Sequence, residues 1–485
     1  MMSFFAAVGF GILLLIVASK SHRAMNLLSV IHPAAYLILA AYSLSYALLP
    51  QYFFGGGYFF MDHLGLFEVS VSSFLFLLAA VYSKGYLEGS MRIGEMSQET
   101  IKLYYAAFNL LLITITFSFF SNNLALFWIL AELTTAFSAV LIVTLNAKKN
   151  IGAALKYIFL ASTAMLFSFI GLIFLFAASE HAIGTGTLNW SALMGYAGQL
   201  SPTILLASFA FIFIGFAAKS GVAPFHAWLP TAHSKAPAPI SVVLSGSVTA
   251  VGIYGILRIY AILHQTTAMP MASSILLIFG LFTMFVAVFC MLCQVNLKKL
   301  IGYSTIEHMG ILLIGIGIGT PAAIFWTVFH KLAHSLTKAL LFFSAGIIHH
   351  QYESVRLEHI KNAIKLQPFA SAGIIIGGAA IIGMPLFSVF LSKLSILIEA
   401  ANKSSALLIG MLVLLLIASA AFGLFLSRML AHSEPGGKMP GQYNAPLNMK
   451  LPIIALIAII ILMGIYFPQY LKDLLQSIVA ELGIK

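Results

Sequence analysis

Apolar runs of bilayer length recur along this chain, and they leave it few folds. "ILLIFGLFTMFVAVFCML", Ile275 to Leu292, passes 18 residues without a charge. Stretches this long read as membrane spans. In hydrocarbon every backbone polar group must find its partner within the protein, so such runs cross as helices. Composition agrees: 61% of the 485 residues are hydrophobic and only 8% charged, against about 25% charged in an ordinary soluble domain. A net charge of +11 raises the question of nucleic acid. In a membrane protein it belongs instead to cytoplasmic loops rich in Lys and Arg, so no nucleic-acid partner is expected.

Fourteen apolar segments follow one another, starting near Ser3, Leu28, Leu64, Tyr104, Asn122, Ile151, Thr203, Ile240, Ser274, Ile301, Ala322, Ala370, Ala406 and Leu451. Their connections alternate in charge. One set holds Lys20, Arg23, Lys84, Arg92, Lys102, Lys148, Lys149, Lys298, Lys299, Arg356, Lys361, Lys365, Arg428, Lys438 and Lys450; the other only Lys403, Lys472 and Lys485. Positive loops stay in the cytoplasm. Both termini are therefore expected on the non-cytoplasmic side of a cell (inner) membrane, with an even number of spans. The N-terminal "MMSFFAAVGFGILLLIVASKSHR" carries its basic cluster after the apolar run, unlike a cleavable signal.

Two segments are interrupted alike. "KSGVAPFHAWLPTAHSKAPAPIS" breaks the seventh at Gly221, Pro224 and Pro230, and "GMPLFSVFLSK" breaks the twelfth at Gly383 and Pro385. Each Pro removes a backbone donor, so the freed carbonyls need protein or water inside the bilayer. Either break alone reads equally well as a kink. The pair, each with a lysine nearby, points to repeated halves with a polar site at each break.

Ionisable residues inside the spans carry the chemistry. Glu132 lies mid-segment in "FWILAELTTAFSAV", Lys219 ends "FIFIGFAAKSG", and Lys393 sits in "FSVFLSKLSI". In "FHKLAHSLTKALLFF", His330, His334 and Lys338 recur every four residues. That spacing places them on one helix face, in a row roughly 12 Å long. Each such group costs about 2.5–3.5 kcal/mol at mid-bilayer and is expected to face a bundle interior, pair, and mark an ion path. The competing reading is a set of structural ion pairs that lock helices together. Lys331 lies about 100° off the His330 face. Lys156 is placed to snorkel to the interface. Glu307 and His308, in "YSTIEHMG", read either as a channel entrance or as a solvated helix-end pair. His349 and His350 are expected in a cytoplasmic loop, solvated.

Metal chemistry finds little support. His330 and His334 have the spacing of a zinc pair, but Lys331 stands where a zinc protease carries its glutamate. Cys290 and Cys293 in "CMLC" are the only cysteines. A lone pair completes no metal site and reads as small apolar helix residues rather than a redox motif. With no P-loop, no GxGxxG after a strand and no cluster ligand set, no cofactor is expected in this chain. Its energy must come from an ion gradient or a partner.

"AAKSGVAPFHAWLPTAHSKAPAPIS", "LKKLIGYSTIEHMG", "FHKLAHSLTKALLFFSAGIIHH" and "GMPLFSVFLSK" together resemble the proton-antiporter-like membrane subunits. That family includes the antiporter-like subunits of complex I, Mrp-type antiporters and membrane-bound nickel–iron hydrogenases. "YSTIEHMG" and "TAHSKAPAPIS" are most similar to the F component of hydrogenase-4 and formate-hydrogenlyase-type complexes. The resemblance implies an all-α polytopic protein of about fourteen transmembrane helices. Its two inverted five-helix repeats would fall at 104–262 (helices 4–8) and 263–431 (helices 9–13), with discontinuous helices 7 and 12. A three-helix segment at 1–103 would precede them, and helix 14 with a short tail would follow at 432–485.

By the same resemblance, Glu132, Lys219, His330, His334, Lys338 and Lys393 would line a hydrated proton or sodium path at mid-membrane, with Glu307 and His308 at an entrance. Nickel–iron and iron–sulfur centres would sit on partner subunits: other membrane subunits and a peripheral redox module. Two other classes stay open: a subunit of a secondary cation/proton antiporter or bicarbonate-uptake complex, and a non-pumping scaffold. One departure stands out. Many family members carry a Lys or His at the centre of helix 8, where this chain reads "SGSVTAVGIYG", with only Ser245, Ser247 and Thr249. Water held by these hydroxyls, or His233 or Lys235 just before them, is the expected substitute. The long lateral helix of the distal complex I subunit is not expected.

Overall fold

The computed structural model describes residues 1–46, 52–145, 147–430 and 442–484. Lys438, Lys485 and the expected boundary at 431/432 lie outside the described residues. In chain order the helices are α1 (Met2–Ala18), α2 (His22–Tyr46), α3 (His63–Arg92), α4 (Gln98–Phe119), α5 (Leu124–Ile142), α6 (Ala147–Ile183), α7 (Trp190–Gly195), α8 (Pro202–Ser220), α9 (Leu229–Lys235), α10 (Ala238–Val243), α11 (Thr249–His264), α12 (Met269–Leu292), α13 (Leu297–Ile318), α14 (Pro321–Tyr352), α15 (Ala363–Leu366), α16 (Pro368–Ile382), α17 (Ser388–Lys403), α18 (Ser405–Leu430), α19 (Leu447–Ile465) and α20 (Gln469–Glu481). Among the described residues, twelve helical stretches are long and apolar enough to cross a membrane. Met2–Ala18 and Pro368–Ile382 are shorter apolar helices. The expected count of fourteen exceeds twelve by these two.

Burial sorts the bundle. The Ala238–His264 stretch is buried throughout, and Leu297–Ile318 nearly so, whereas Ser405–Leu430 and Leu447–Ile465 are only 33% buried. The first two form the protein interior. The last two, with Leu416 and Ile465 exposed, present the apolar surface that lipid requires. Small residues let the inner helices approach closely. A Cβ at Gly310 of α13 would meet the Gly280 carbonyl of α12 at 2.7 Å. The Gly171 carbonyl of α6 accepts the Ser208 hydroxyl of α8 at 2.7 Å.

Both expected interruptions are present, with the same local geometry. Gly221 (φ 75°) ends α8 and Gly383 (φ 88°) ends α16. After α8, the Gly221 and Val222 amides donate to Ala218 and Ala217; after α16, the Gly383 and Met384 amides donate to Ala380 and Ala379. Each is a Schellman end, which needs a left-handed residue that glycine adopts without a Cβ penalty. A third irregularity was not foreseen: between α10 and α11 a π-turn spans Leu244–Val248, in the "SGSVT" stretch that lacks a central lysine. Such π-bulges mark altered hydrogen bonding inside a helix, often at functional sites.

One expectation needs correction, and two further elements, a hairpin and a terminal helix, add to the expected fold. His349 and His350 lie in no loop: α14 runs on to Tyr352. His350 is buried, with Nε2 3.2 Å from the Ser90 hydroxyl. The region before α3 forms an antiparallel hairpin, β1 (Tyr52–Phe54) with β2 (Phe59–Met61). The tail after α19 is a helix, α20, tied back by Glu481 to His63 at 2.6 Å.

Candidate functional site

Two buried polar clusters form, one at each break. At the first, Lys219 occupies the last turn of α8, where the negative end of the helix dipole favours a cation. It is fully buried. Its ammonium donates to the Ala131 carbonyl at 2.7 Å and to the Thr135 hydroxyl at 2.5 Å, both on α5. These residues flank Glu132, yet among the described residues Glu132 forms no ion pair within 4.0 Å. It is half-buried, and one carboxylate oxygen accepts the Ser162 hydroxyl of α6 at 2.8 Å. The other is buried without a partner among the described residues. Lys219 and Glu132 thus share one stretch of α5 without touching.

At the second break the groups meet directly. Lys393 of α17 reaches back to the Ile381 carbonyl at the end of α16, at 3.0 Å, and to Glu307 of α13 at 3.3 Å. The other Glu307 oxygen lies 3.3 Å from His308 Nε2. His308 Nδ1 is 2.8 Å from His330 Nε2, and His330 Nδ1 is 2.8 Å from the Ser392 hydroxyl. The His308 ring also lies 4.7 Å from that of His334. The row on α14 is therefore joined by a third imidazole from α13, inserted against both histidines. Glu307 and His308 are fully buried, which excludes a solvated helix-end pair. Lys338, one turn beyond His334, donates to the Ile301 carbonyl at 3.0 Å and to the Ser304 hydroxyl.

Hydroxyls connect the clusters. Ser220, next to Lys219, donates to the Thr249 carbonyl at 3.2 Å, and the Thr249 hydroxyl donates to the Ser245 carbonyl at 2.7 Å. The Ser245 and Thr305 hydroxyls are 2.9 Å apart, and Thr305 adjoins Ser304, the partner of Lys338. The π-turn thus carries a polar line from the first break to the second.

His233 is buried, its ring stacked 4.7 Å from Phe342, with neither ring nitrogen partnered among the described residues. Lys235 is exposed. It lines a basic cavity of about 370 Å³ with Lys149, Lys298, Lys299 and Arg356, apart from the buried cluster. Glu95, on the same cavity, sits beside His349 at 3.5 Å. Burial pushes its carboxyl up, but the His349 hydrogen bond and charge, with Lys298 and Lys149, hold it below the usual carboxylate range. Cys290 and Cys293 are free thiols. Among the described residues no three His, Cys, Asp or Glu side chains gather to hold a metal ion.

Sequence reasoning missed one further buried pair, Glu68 of α3 with Lys331 of α14, and the clamp of Asp62 on Arg258 at 2.5 Å. Arg258 stacks over Trp190 at 4.3 Å and Tyr254 at 4.7 Å. An acidic residue within an apolar run was the available signal for Glu68.

A hydrogenase-4 component F homolog of Methylacidiphilum infernorum is 28% identical over 424 residues, covering 87% of this chain and 88% of that protein. A chain of the archaeal membrane-bound sulfane sulfur reductase, a respiratory membrane complex, superposes with a TM-score of 0.85 at 22% identity, covering 99% of this chain and 96% of that one. A chain of the Mrp complex from a Dietzia species gives 0.84 at 20% identity, covering 99% and 96%. Residues 121–423 match the model of the family described as NADH:quinone oxidoreductase/Mrp antiporter, TM. This span holds both helix breaks and both polar clusters, and the chain is an antiporter-like membrane subunit belonging to that family.

Proposed function

We propose that the chain carries H⁺ or Na⁺ along its buried axis as the translocating membrane subunit of a redox-driven, multisubunit complex of the hydrogenase or complex I type. The observation that carries this reading is the unbroken contact series Lys393–Glu307–His308–His330, with His334 against His308. Buried ionisable groups are costly at membrane depth and are kept for ion paths or relays. Imidazoles in mutual contact can each take a proton at one ring nitrogen and give one from the other. In this reading 104–262 and 263–431 are the two half-channels, Lys219 and Lys393 are the proton-holding groups of each, and the π-turn hydroxyls join them. The resemblance to a hydrogenase-4 component F homolog supports a hydrogenase-type assembly. Nickel–iron and iron–sulfur centres then belong to a peripheral redox module and neighbouring membrane subunits.

The test is transport by the purified complex in proteoliposomes. Removing the Lys219 amine removes the proposed proton-holding group. Lys219→Ala is expected to assemble and to lose ion transport by more than tenfold. Wild-type transport by the assembled variant would remove the first half-channel from this account, and a purified complex lacking any redox subunit would remove the redox drive.

A further inference from the structure

The pair of Glu68 and Lys331 belongs to neither cluster. Lys331 follows His330 directly, but its side chain leaves the relay face and meets Glu68 of α3. Both residues are buried. The ammonium lies 5.8 Å from the Phe67 ring and 5.9 Å from that of Phe119. Both helices begin on one membrane face, since α20 touches the start of each: Glu481 bonds His63, and Gln476 and Val479 line a groove with Pro321 and Phe325. A helical Cα–Cβ bond tilts toward the helix N-terminus, so Lys331 leans from mid-membrane toward that face.

Unpartnered hydroxyls adjoin the pair. One turn along α3, Ser72 and Ser73 are buried with no hydrogen-bond partner among the described residues; Ser247 of the π-turn is in the same state. The elements are in contact there. A Cβ on Gly246 would meet Leu75 of α3 at 2.4 Å and Ser335 of α14 at 3.4 Å, and Ser335 donates to the Gly246 carbonyl. Buried polar groups in folded proteins are nearly always satisfied, by protein or by ordered water. Three orphan hydroxyls around one seam between α3, α14 and the π-turn call for water there.

We propose that Glu68 and Lys331 form the proton-carrying step of a lateral branch, linking the mid-membrane π-turn to the face on which α3 and α14 begin. The inference rests on the ion-translocating reading above. The step is a proton transfer: the Lys331 ammonium gives a proton to the Glu68 carboxylate, leaving a neutral amine and a carboxylic acid, and the acid releases it toward water at that face. The amine is recharged from the hydroxyl-lined side. Contrast with Asp62–Arg258 supports the assignment. A guanidinium does not deprotonate in proteins, so that pair is a fixed clamp, whereas a buried lysine changes charge readily.

The discriminating variant is Lys331→Arg, which keeps a cation for Glu68 but cannot release its proton. Proton flux under an imposed potassium diffusion potential is read with an internal pH dye in proteoliposomes holding the whole complex. Lys331→Arg and the double variant Glu68→Gln/Lys331→Met are expected to lose at least tenfold in flux. Lys219→Ala is measured alongside. If Lys219→Ala blocks flux while Lys331→Arg transports like the wild type, the branch is overturned and the main axis stands. If both transport normally, the translocation reading itself falls. Should the variants fail to assemble, a high-resolution density map of the wild-type complex decides: ordered water among Ser72, Ser73 and Ser247 supports the branch, and a dry seam overturns it.

Discussion

Glu307 and Lys393 stand 86 residues apart in sequence and meet at 3.3 Å inside the bundle. Glu132 and Lys219, at nearly the same interval, approach the same stretch of α5 without an ion pair. The two halves thus hold the same two charges in different states of contact, one closed and one open. A buried pair is strongly destabilised when one partner is removed, by about 3–5 kcal/mol, because the other charge is left uncompensated. Lys393→Met is therefore expected to lower the thermal stability of the complex and abolish transport. Glu307→Gln/Lys393→Met should recover much of the stability but none of the transport. Recovery of both in the double variant would make the pair a structural lock.

His308 is expected to matter as much as His334. Its ring bonds His330 and packs on His334, so it closes a gap of about 6 Å that one turn of helix leaves between them. His308→Leu should reduce transport at least as far as His334→Leu, by more than tenfold in flux measurements on reconstituted complex. His308→Gln, which keeps a hydrogen-bonding group, should retain part of it. Equal loss in the leucine and glutamine variants, with the complex intact, would point to imidazole chemistry rather than a hydrogen-bonded link. Wild-type flux in the leucine variant would exclude His308 from the path.

The features legible in the sequence were those written along one helix: the apolar runs, the two breaks at Gly221 and Gly383, and the four-residue row on α14. Each depends on local periodicity or on a residue with special backbone freedom. What stayed hidden was cross-helix pairing. Glu307 reads as a channel entrance or a solvated helix-end pair because nothing local ties it to Lys393 on α17, and Lys331 has no visible partner because Glu68 lies eight spans earlier among the membrane crossings. His349 and His350 were placed in a loop because polarity rises there. Their partners, Glu95 and Ser90, let α14 continue to Tyr352. The missing lysine of helix 8 was visible; the π-turn that orders its hydroxyls was not.

Topology is open to chemical labelling. The basic connection after α14 and the uncharged connection between α6 and α8 should lie on opposite faces, the first cytoplasmic. Glu358 and Thr185 are exposed sites on each. The native thiols must first be replaced by serine, since Cys293 is exposed beside the basic face. In intact cells an impermeant maleimide should then label Thr185→Cys and spare Glu358→Cys. The reverse pattern would invert the orientation.

The Glu95–His349 contact predicts a mild acid sensitivity at the basic face. A carboxyl held below its ordinary value of 4.5 contributes stability that is complete above that pH and is lost as pH falls through the lowered value. Glu95→Gln should flatten the fall in melting temperature of the complex below about pH 4.5, as linkage requires. An unchanged acid limb would mean that other carboxylates govern it.

The hydroxyl contact between Ser245 and Thr305 joins the π-turn to α13 in the proposed axis, and it separates structure from transport. Removing the Thr305 hydroxyl leaves that of Ser245 buried and unpaired, at a cost of about 1–3 kcal/mol, whereas replacing both with apolar groups of similar shape is nearly neutral; without Ser245, the Thr305 hydroxyl keeps its bond to the Ile301 carbonyl at 3.2 Å. Thr305→Val alone should therefore destabilise the complex, and the double variant Ser245→Ala/Thr305→Val should melt close to the wild type. Transport should not follow stability. If these hydroxyls hold the polar line between Lys219 and Lys338, the double variant has an apolar seam at the π-turn and should lose more than tenfold in proton flux while folding normally. A double variant that is stable and transports at the wild-type rate would show that the two halves connect elsewhere.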